Sequence, residues 1–454
     1  MDEDRYFFCG VGGSGMMPLA MIVAARGARV AGSDRSLDQG RIADKFAALE
    51  KLGIALFPQD GSGPKAGETF VASAAVEETV PDVVAANRLG LERLSRAELL
   101  AQLFNASAER IAVGGTSGKS TVTGMIGWIL DRAGRDPTVM NGAVMKNYAR
   151  PDAPFASARV GAGGAFVSEV DESDGSIALY TPDIAVLNNV ALDHKSMEEL
   201  RALFGDFVGR ARVAIVNADN GEALALAGAN ARTFGFSGKA GLRGSDVIER
   251  PDGIDFAANG VPVSLQVPGQ HNAANALAAL AAAEAAGVSL EEGAKALGSF
   301  AGLRRRLEIV GTRHGVTVID DFGHNPDKIG ATLKTMKAFP GRLLVFFQPH
   351  GYGPLKLMGE ELAQVFAEAL GREHELVLCD PVYFGGTVDR SRGSDWLAER
   401  VAALGGRAHH IAERTACGDW LVHEARAGDR ILVMGARDDT LSVFARDILE
   451  RLDG

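Results

Sequence analysis

Residues 109–126, Glu109-Arg-Ile-Ala-Val-Gly-Gly-Thr-Ser-Gly-Lys-Ser-Thr-Val-Thr-Gly-Met-Ile126, constrain the fold of this chain more than any other stretch. Ile111, Ala112 and Val113 predict a short buried strand. Gly114 and Gly115 break it, and Gly118-Lys119-Ser120 opens an apolar helix running to about Leu130. A strand, a glycine-rich turn and a helix in that order form a cradle for phosphate. Backbone N–H groups at the helix start point at the anion, and the helix dipole favours negative charge there. Lys119 would reach the β- and γ-phosphates, and the Ser120 hydroxyl would hold Mg²⁺. The loop is shorter than the full G-x-x-x-x-G-K-[ST] pattern, because Val113 stands where its first glycine belongs. The alternative is a polar loop that merely caps a helix.

A chain of 454 residues has room for about three domains at ~150 residues each. Its charge of −11 argues against a general nucleic-acid binder, which would show a basic stripe. Local basic pockets remain compatible with a small anionic substrate. Cys9, Cys379 and Cys417 are far apart, show no metal-ligand spacing and suit reduced thiols in a cytoplasmic protein. The N-terminus reads as an acidic start running into a strand, not a signal peptide. The alanine-rich stretch 276–288 is too short to span a membrane and carries Glu284, so no membrane insertion is expected.

Near the start, Gly10, Gly12 and Gly15 give G-x-G-x-x-G, followed by an apolar helix, a strand and Asp34. This is the dinucleotide fingerprint: a tight turn, close backbone approach, and an acid placed for a ribose. Taken alone it supports an NAD-dependent oxidoreductase. Later, strand Ala165–Glu169 runs into four acids, Glu169, Asp171, Glu172 and Asp174, suited to Mg²⁺ or to a solvated turn. Strand Ile184–Leu187 ends in a polar cluster, Asn188-Asn189-Val-Ala-Leu-Asp-His194, and open α/β sheets bind ligands at such strand ends. Asn272 and Asn275 lie one turn apart on a helix face, placed to read a base edge or to cap the helix. From Gly302 on, strands ending in polar residues alternate with helices: Asp320-Asp-Phe-Gly-His324-Asn-Pro326, Gln348-Pro-His350, then Glu375–Cys379 and Arg430–Met434. That pattern predicts a small doubly wound domain.

Together these pieces resemble the Mur ligase family of ATP-dependent amide-forming enzymes, most closely the branch acting on UDP-N-acetylmuramate and L-alanine. The resemblance covers nearly the whole chain, in order: Gly10–Met16, Gly32-Ser-Asp34, Ser73-Ala-Ala75, Gly115–Ser120, Glu169–Ser173, Asp193-His194, Pro268–Asn272, Gly302 with Arg305-Arg306, Asp320–Pro326 and Gln348–His350. Each motif is weak alone; their order is specific.

The resemblance implies an α/β chain of three domains. These are a Rossmann-like UDP-sugar-binding domain (1–108), a central P-loop ATPase domain with a mostly parallel sheet (109–301), and a C-terminal Rossmann-like doubly wound domain (302–454). It reassigns the first glycine loop from nicotinamide to UDP-sugar, with Gly12, Gly13, Ser14, Gly15, Met16, Asp34 and Ser73 as its contacts. It implies an ATP site of Gly115, Thr116, Ser117, Gly118, Lys119, Ser120, Thr121, Asn272, Asn275, Arg306 and Asp321. Ser120, Glu169 and His194 would hold Mg²⁺. Lys119, Glu169, His194, His324 and His350 would be catalytic, the last two where the amine arrives. The implied reaction phosphorylates a muramyl carboxylate with ATP, then forms an amide with an amino acid or peptide. A monomer or homodimer is expected.

The chain departs from the branch at several points. Ser117 replaces a usual histidine, Lys195-Ser196 a usual Met-Asp, and Gly351-Tyr-Gly-Pro-Leu-Lys356 an arginine-rich run. Losing guanidiniums removes bidentate carboxylate donors. The amine could therefore be L-alanine, the tripeptide taken by a recycling branch, or the substrate of a related pathway. A nucleotide-binding protein without ligation is the alternative from a different class.

Overall fold

Runs of consecutive apolar residues such as Phe7–Cys9, Ile184–Leu187 and Leu343–Phe347 become strands buried on both faces. That is the pattern of parallel sheets with helices covering both sides. The computed structural model describes residues 4–73, 76–151, 153–192, 195–382, 390–436, 438 and 440–452. The chain packs as two compact units. One comprises residues 1–249, 253–266 and 270–303; the other comprises 304–454 with the short segments 250–252 and 267–269.

The first unit holds two sheets. Strands β1 (Arg5–Cys9), β2 (Arg29–Ser33), β3 (Ala55–Phe57), β4 (Thr69–Ala72) and β5 (Glu92–Ser95) form a parallel sheet in the order β3-β2-β1-β4-β5. The second sheet contains β6 (Glu109–Gly114), β7 (Thr138–Met140), β8 (Ala158–Arg159), β9 (Ala165–Glu169) and β10 (Ile184–Leu187). It continues with β11 (Val213–Asn217), β12 (Ala231–Gly235), β13 (Leu242–Arg250), β14 (Gly253–Ala258) and β15 (Val261–Leu265). Its order is β15-β14-β13-β12-β11-β10-β6-β9-β7-β8, parallel from β13 across to β7.

Where the two sheets meet, Phe104 packs edge-on against Phe166 and Tyr180, at ring-centroid distances of 5.7 and 5.3 Å. The Asn105 side chain bonds the Leu179 carbonyl and Thr181. Helix entries are fixed locally: Ser95/Glu98, Ser196/Glu199 and Ser289/Glu292 are reciprocal capping boxes that satisfy otherwise unpaired N–H groups.

The second unit is a six-stranded sheet of β16 (Glu308–Arg313), β17 (Val316–Asp321), β18 (Leu343–Gln348), β19 (Glu375–Leu378), β20 (Ala408–His410) and β21 (Arg430–Gly435). The order is β16-β17-β21-β18-β19-β20, with only the β16–β17 pair antiparallel. Strand side chains alternate between faces. Ile319, Val345 and Phe347 meet helices Pro326–Lys337, Tyr352–Leu370 and Ser394–Ala403; Val318, Phe346 and Val433 meet helices Arg414–Glu424 and Leu441–Arg451. The architecture is α/β throughout, with three parallel-rich sheets. Among the described residues no helix is long and apolar enough to cross a membrane.

Candidate active site

Strand β6 lies between β9 and β10, and the chain leaves the C-terminal ends of all three side by side. In an open parallel sheet this is where a crevice forms. Residues remote in sequence, the 114–118 turn, the acids from 169 onward and Asn188-Asn189, are brought together there.

The turn after β6 needs glycine at two points. Gly115 has φ +133°, and Gly118 has φ +81° with no room for a Cβ, which would come within 2.3 Å of Asn188 Nδ2 and 2.6 Å of Asn275 Oδ1. Helix Lys119–Arg132 then begins, leaving its first N–H groups facing the strand ends. Lys119 Nζ donates to the Gly115 carbonyl at 2.7 Å and to Glu172 Oε2 at 2.8 Å. The Ser120 hydroxyl donates to Glu169 Oε2 at 2.7 Å. The Thr116 hydroxyl and the Ser117 N–H both donate to Asn189 Oδ1, at 2.8 and 2.9 Å. Thr121 follows on the first turn, half-buried.

Asn272 and Asn275 are both buried, and Asn275 Oδ1 accepts from Asn188 Nδ2 at 3.0 Å. The two asparagines thus sit against the phosphate-type loop. The Asn188 side-chain oxygen, Oδ1, is buried with no hydrogen-bond partner among the described residues, while its backbone carbonyl accepts from Asn217 Nδ2 at 2.8 Å. Burial works to raise the Asp171 pKa, but hydrogen bonds from Ser173 and the nearby charges of Lys119 and Arg96 outweigh it and hold the carboxyl below its ordinary value.

The donor set fits a hard cation. Ser120 and Glu169 present two oxygens side by side, and Mg²⁺ commonly takes few protein ligands, completing its shell with phosphate oxygens and water. Glycine at 142 lets the Glu169 carboxylate lie against the backbone there, since a Cβ would meet Glu169 Oε1 at 2.2 Å. Among the described residues no three His, Cys, Asp or Glu side chains cluster as a complete metal cage. His194, expected as a third ligand, lies outside the described residues, as does Asp193.

At the first sheet, Gly12, Gly13, Ser14 and Gly15 form the turn between β1 and helix Met16–Ala25. Asp34 is engaged internally: Oδ2 accepts the Gly12 N–H at 2.9 Å and Oδ1 caps the next helix through the Ser36 N–H at 2.8 Å. Ser73 stands just beyond β4. A Cβ on Gly15 would meet Arg96 Cδ at 2.9 Å, and the Arg96 guanidinium is 3.6 Å from Asp174. Arg96 therefore joins the first glycine loop to the acidic end of β9.

The second unit carries its own cluster at the ends of β17 and β18. The His324 and His350 rings meet edge-to-face at 5.2 Å, and His324 Nδ1 lies 3.0 Å from the Phe322 carbonyl. Burial, then the charge of Lys328, pushes the His324 pKa down to about 4, so the ring is neutral at pH 7. The Arg306 guanidinium stacks over the Phe322 ring at 5.0 Å. Asp321 is buried and accepts from the Leu307 N–H, the Gly323 N–H and the Thr332 hydroxyl, so it braces the strand-end turn.

Sequence reasoning named Glu172 only among four acids, and Asn188 and Asn189 only as part of a polar cluster. It passed over Arg96 and Gly142. The Asn141-Gly142 pair directly after β7, a turn signal at a strand's C-terminal end, was the available cue for the last.

Three family models cover most of the chain. Residues 5–108 match "Mur ligase family, catalytic domain", 113–283 match "Mur ligase middle domain", and 305–437 match "Mur ligase, glutamate ligase domain". The UDP-N-acetylmuramate–L-alanine ligase of Cereibacter sphaeroides (strain ATCC 17025) is 34% identical over 98% of this chain and 96% of its own length. That of Streptomyces coelicolor is 35% identical over 96% of both. Among solved structures, a UDP-N-acetylmuramate-alanine ligase from Thermotoga maritima superposes with TM-score 0.82 at 23% identity, covering 99% of each chain. A murein peptide ligase from Psychrobacter arcticus gives 0.71 at 23% identity, covering 99% of this chain and 98% of that one. These two establish a shared fold.

Proposed function

The chain belongs to the Mur ligase family and is an ATP-dependent ligase, and on that premise we propose that it joins L-alanine to the carboxylate of UDP-N-acetylmuramate. The observation that carries the reading is the convergence of Lys119, Ser120 and Glu169 at the ends of adjacent strands β6 and β9. Full-length relatives that carry this activity in their names support the choice of substrates.

In the proposed reaction a carboxylate oxygen of the sugar attacks the γ-phosphorus of ATP, and ADP leaves. The amine nitrogen then attacks the acyl carbonyl, gives up a proton, and phosphate departs as the amide forms. Such chemistry depends on positioning and on cations around the phosphoryl group. Lys119 neutralises the β/γ-phosphates, and the N–H groups of residues 115–121 hold their oxygens. Ser120 and Glu169, with His194, would hold Mg²⁺, which would supply positive charge beside the transferring group. Asn272 and Asn275 contact adenine, Gly12 to Met16 with Asp34 and Ser73 bind the UDP-sugar, and Arg306 and Asp321 are assigned nucleotide contacts. His324, neutral at pH 7, and His350 receive the amine and its proton. Domains 1–108, 109–301 and 302–454 divide these tasks.

The test is product mass. Enzyme, ATP, Mg²⁺, UDP-N-acetylmuramate and a pool of amino acids plus the cell-wall tripeptide should yield the sugar plus alanine, with ADP. Sugar plus tripeptide would move the chain to the recycling reaction. No product, and no ADP release stimulated by the sugar, would refute the assignment. Lys119→Ala should abolish turnover while leaving the fold intact.

A further inference from the structure

Several donors that the nucleotide reading assigns to a phosphate or its metal already have a protein oxygen on them. Glu172 takes Lys119, Asn189 Oδ1 takes the Ser117 N–H and the Thr116 hydroxyl, and Glu169 takes Ser120. The Lys119–Glu172 pair stands apart because it is shielded: Glu172 is only 4% exposed, and its side chain reaches Lys119 across the gap between β9 and β6. A buried carboxylate with a single ammonium partner is held far more firmly than a surface pair. Lysine carries a flexible four-carbon stem, so pinning it beforehand removes an ordering cost from the moment of binding.

We propose that Glu172 is a positioning residue for Lys119. It acts as an internal stand-in for phosphate that holds the ammonium over the loop between turnovers and surrenders it to the nucleotide. This rests on the nucleotide reading of the loop. Two anions competing for one ammonium must trade places, so binding is opposed by the pair's own attraction. A polyphosphate with a base and several loop contacts overcomes that opposition. Inorganic phosphate, the product left at the same loop, has one anionic group and does not. The pair therefore screens the site against its own product.

The test compares ATP and inorganic phosphate binding in the full-length wild type, Glu172→Gln, Lys119→Ala and the double variant by titration calorimetry. Glu172→Gln keeps the shape and removes the charge. It should tighten ATP about tenfold, as expected when a competing state is emptied, and phosphate by at least as much. Inhibition of turnover by phosphate should rise in parallel. In the Lys119→Ala background the same substitution should change nothing, because the competition runs through the ammonium. Glu172→Asp, one methylene too short to keep the contact, should also tighten ATP, which guards against a misfolded glutamine variant. Weaker or unchanged ATP binding in Glu172→Gln, or an effect that persists without Lys119, overturns the proposal while the nucleotide site stands. ATP binding indifferent to Lys119→Ala overturns the nucleotide reading and this one with it.

Discussion

Gly142→Ala probes the contribution of Glu169 without replacing any charged group. The added Cβ would lie 2.2 Å from Glu169 Oε1, 3.3 Å from its Cδ and 3.6 Å from Ser120 Oγ, whereas ordinary contact begins at 3.4 Å. The carboxylate must therefore retreat by about 1 Å, which disturbs the 2.7 Å hydrogen bond that its other oxygen, Oε2, accepts from Ser120. Gly142 is exposed and its backbone is unstrained, so the stability cost is that of one net hydrogen bond, about 1 kcal/mol. The functional cost is larger. Displacing a group that orients a metal site typically lowers metal affinity ~10–100-fold. Titrating Mg²⁺ against ATP turnover should show the half-saturating concentration rising by that factor, with near-normal rate at excess Mg²⁺ and a near-normal melting temperature. Wild-type Mg²⁺ dependence in the folded variant would refute the placement of the cation beside Glu169.

Three further outcomes follow from other features. Gly118→Ala combines a left-handed backbone with contacts to Asn188 and Asn275; it should destabilise by about 1–3 kcal/mol and weaken ATP binding at least ~10-fold by calorimetry. His324 has a folded pKa of about 4, below the ordinary 6.5, so the unfolded chain binds the extra proton between those values. Stability should be full above pH 6.5 and fall toward pH 4, by up to about 2 kcal/mol given the ring's partial exposure, and denaturation of His324→Gln should lack that slope. Burial pushes the thiols of Cys9 and Cys417 up to about 12 and that of Cys379 higher still, so a thiol-specific reagent should label none in the native protein and all three after unfolding.

The phosphate-type loop was legible because its physics is local: a strand, a break, and a helix start within ten residues. The partners of that loop were not. Glu172 and Asn189 meet Lys119 and Ser117 only because β9 and β10 flank β6, and strand order is a property of the whole sheet. Asp34 and Asp321 were recognised by position, yet each spends its oxygens on backbone and hydroxyl donors nearby, a use no spacing reveals. The strands β12 to β15 went unread because they are half-polar, with charged residues such as Arg243, Asp246 and Glu249 along β13 obscuring any apolar run. The C-terminal sheet was visible because its strands are uninterrupted apolar runs ending in polar residues.

Helices Lys119–Arg132 and Gln270–Ala285 run side by side in the same direction: Asn275 near the start of one touches Gly118 at the start of the other, and Arg135 beyond the end of one bonds Ala286 beyond the end of the other. The contact is possible because the second helix is lined with alanine. Two peptide dipoles thus deliver their positive ends to one mouth, each worth about half a unit charge. An attraction of that kind has no proton to lose and no side chain to delete. It follows that a loop stripped of its lysine should keep a faint, pH-independent pull on polyanions, written into the backbone itself.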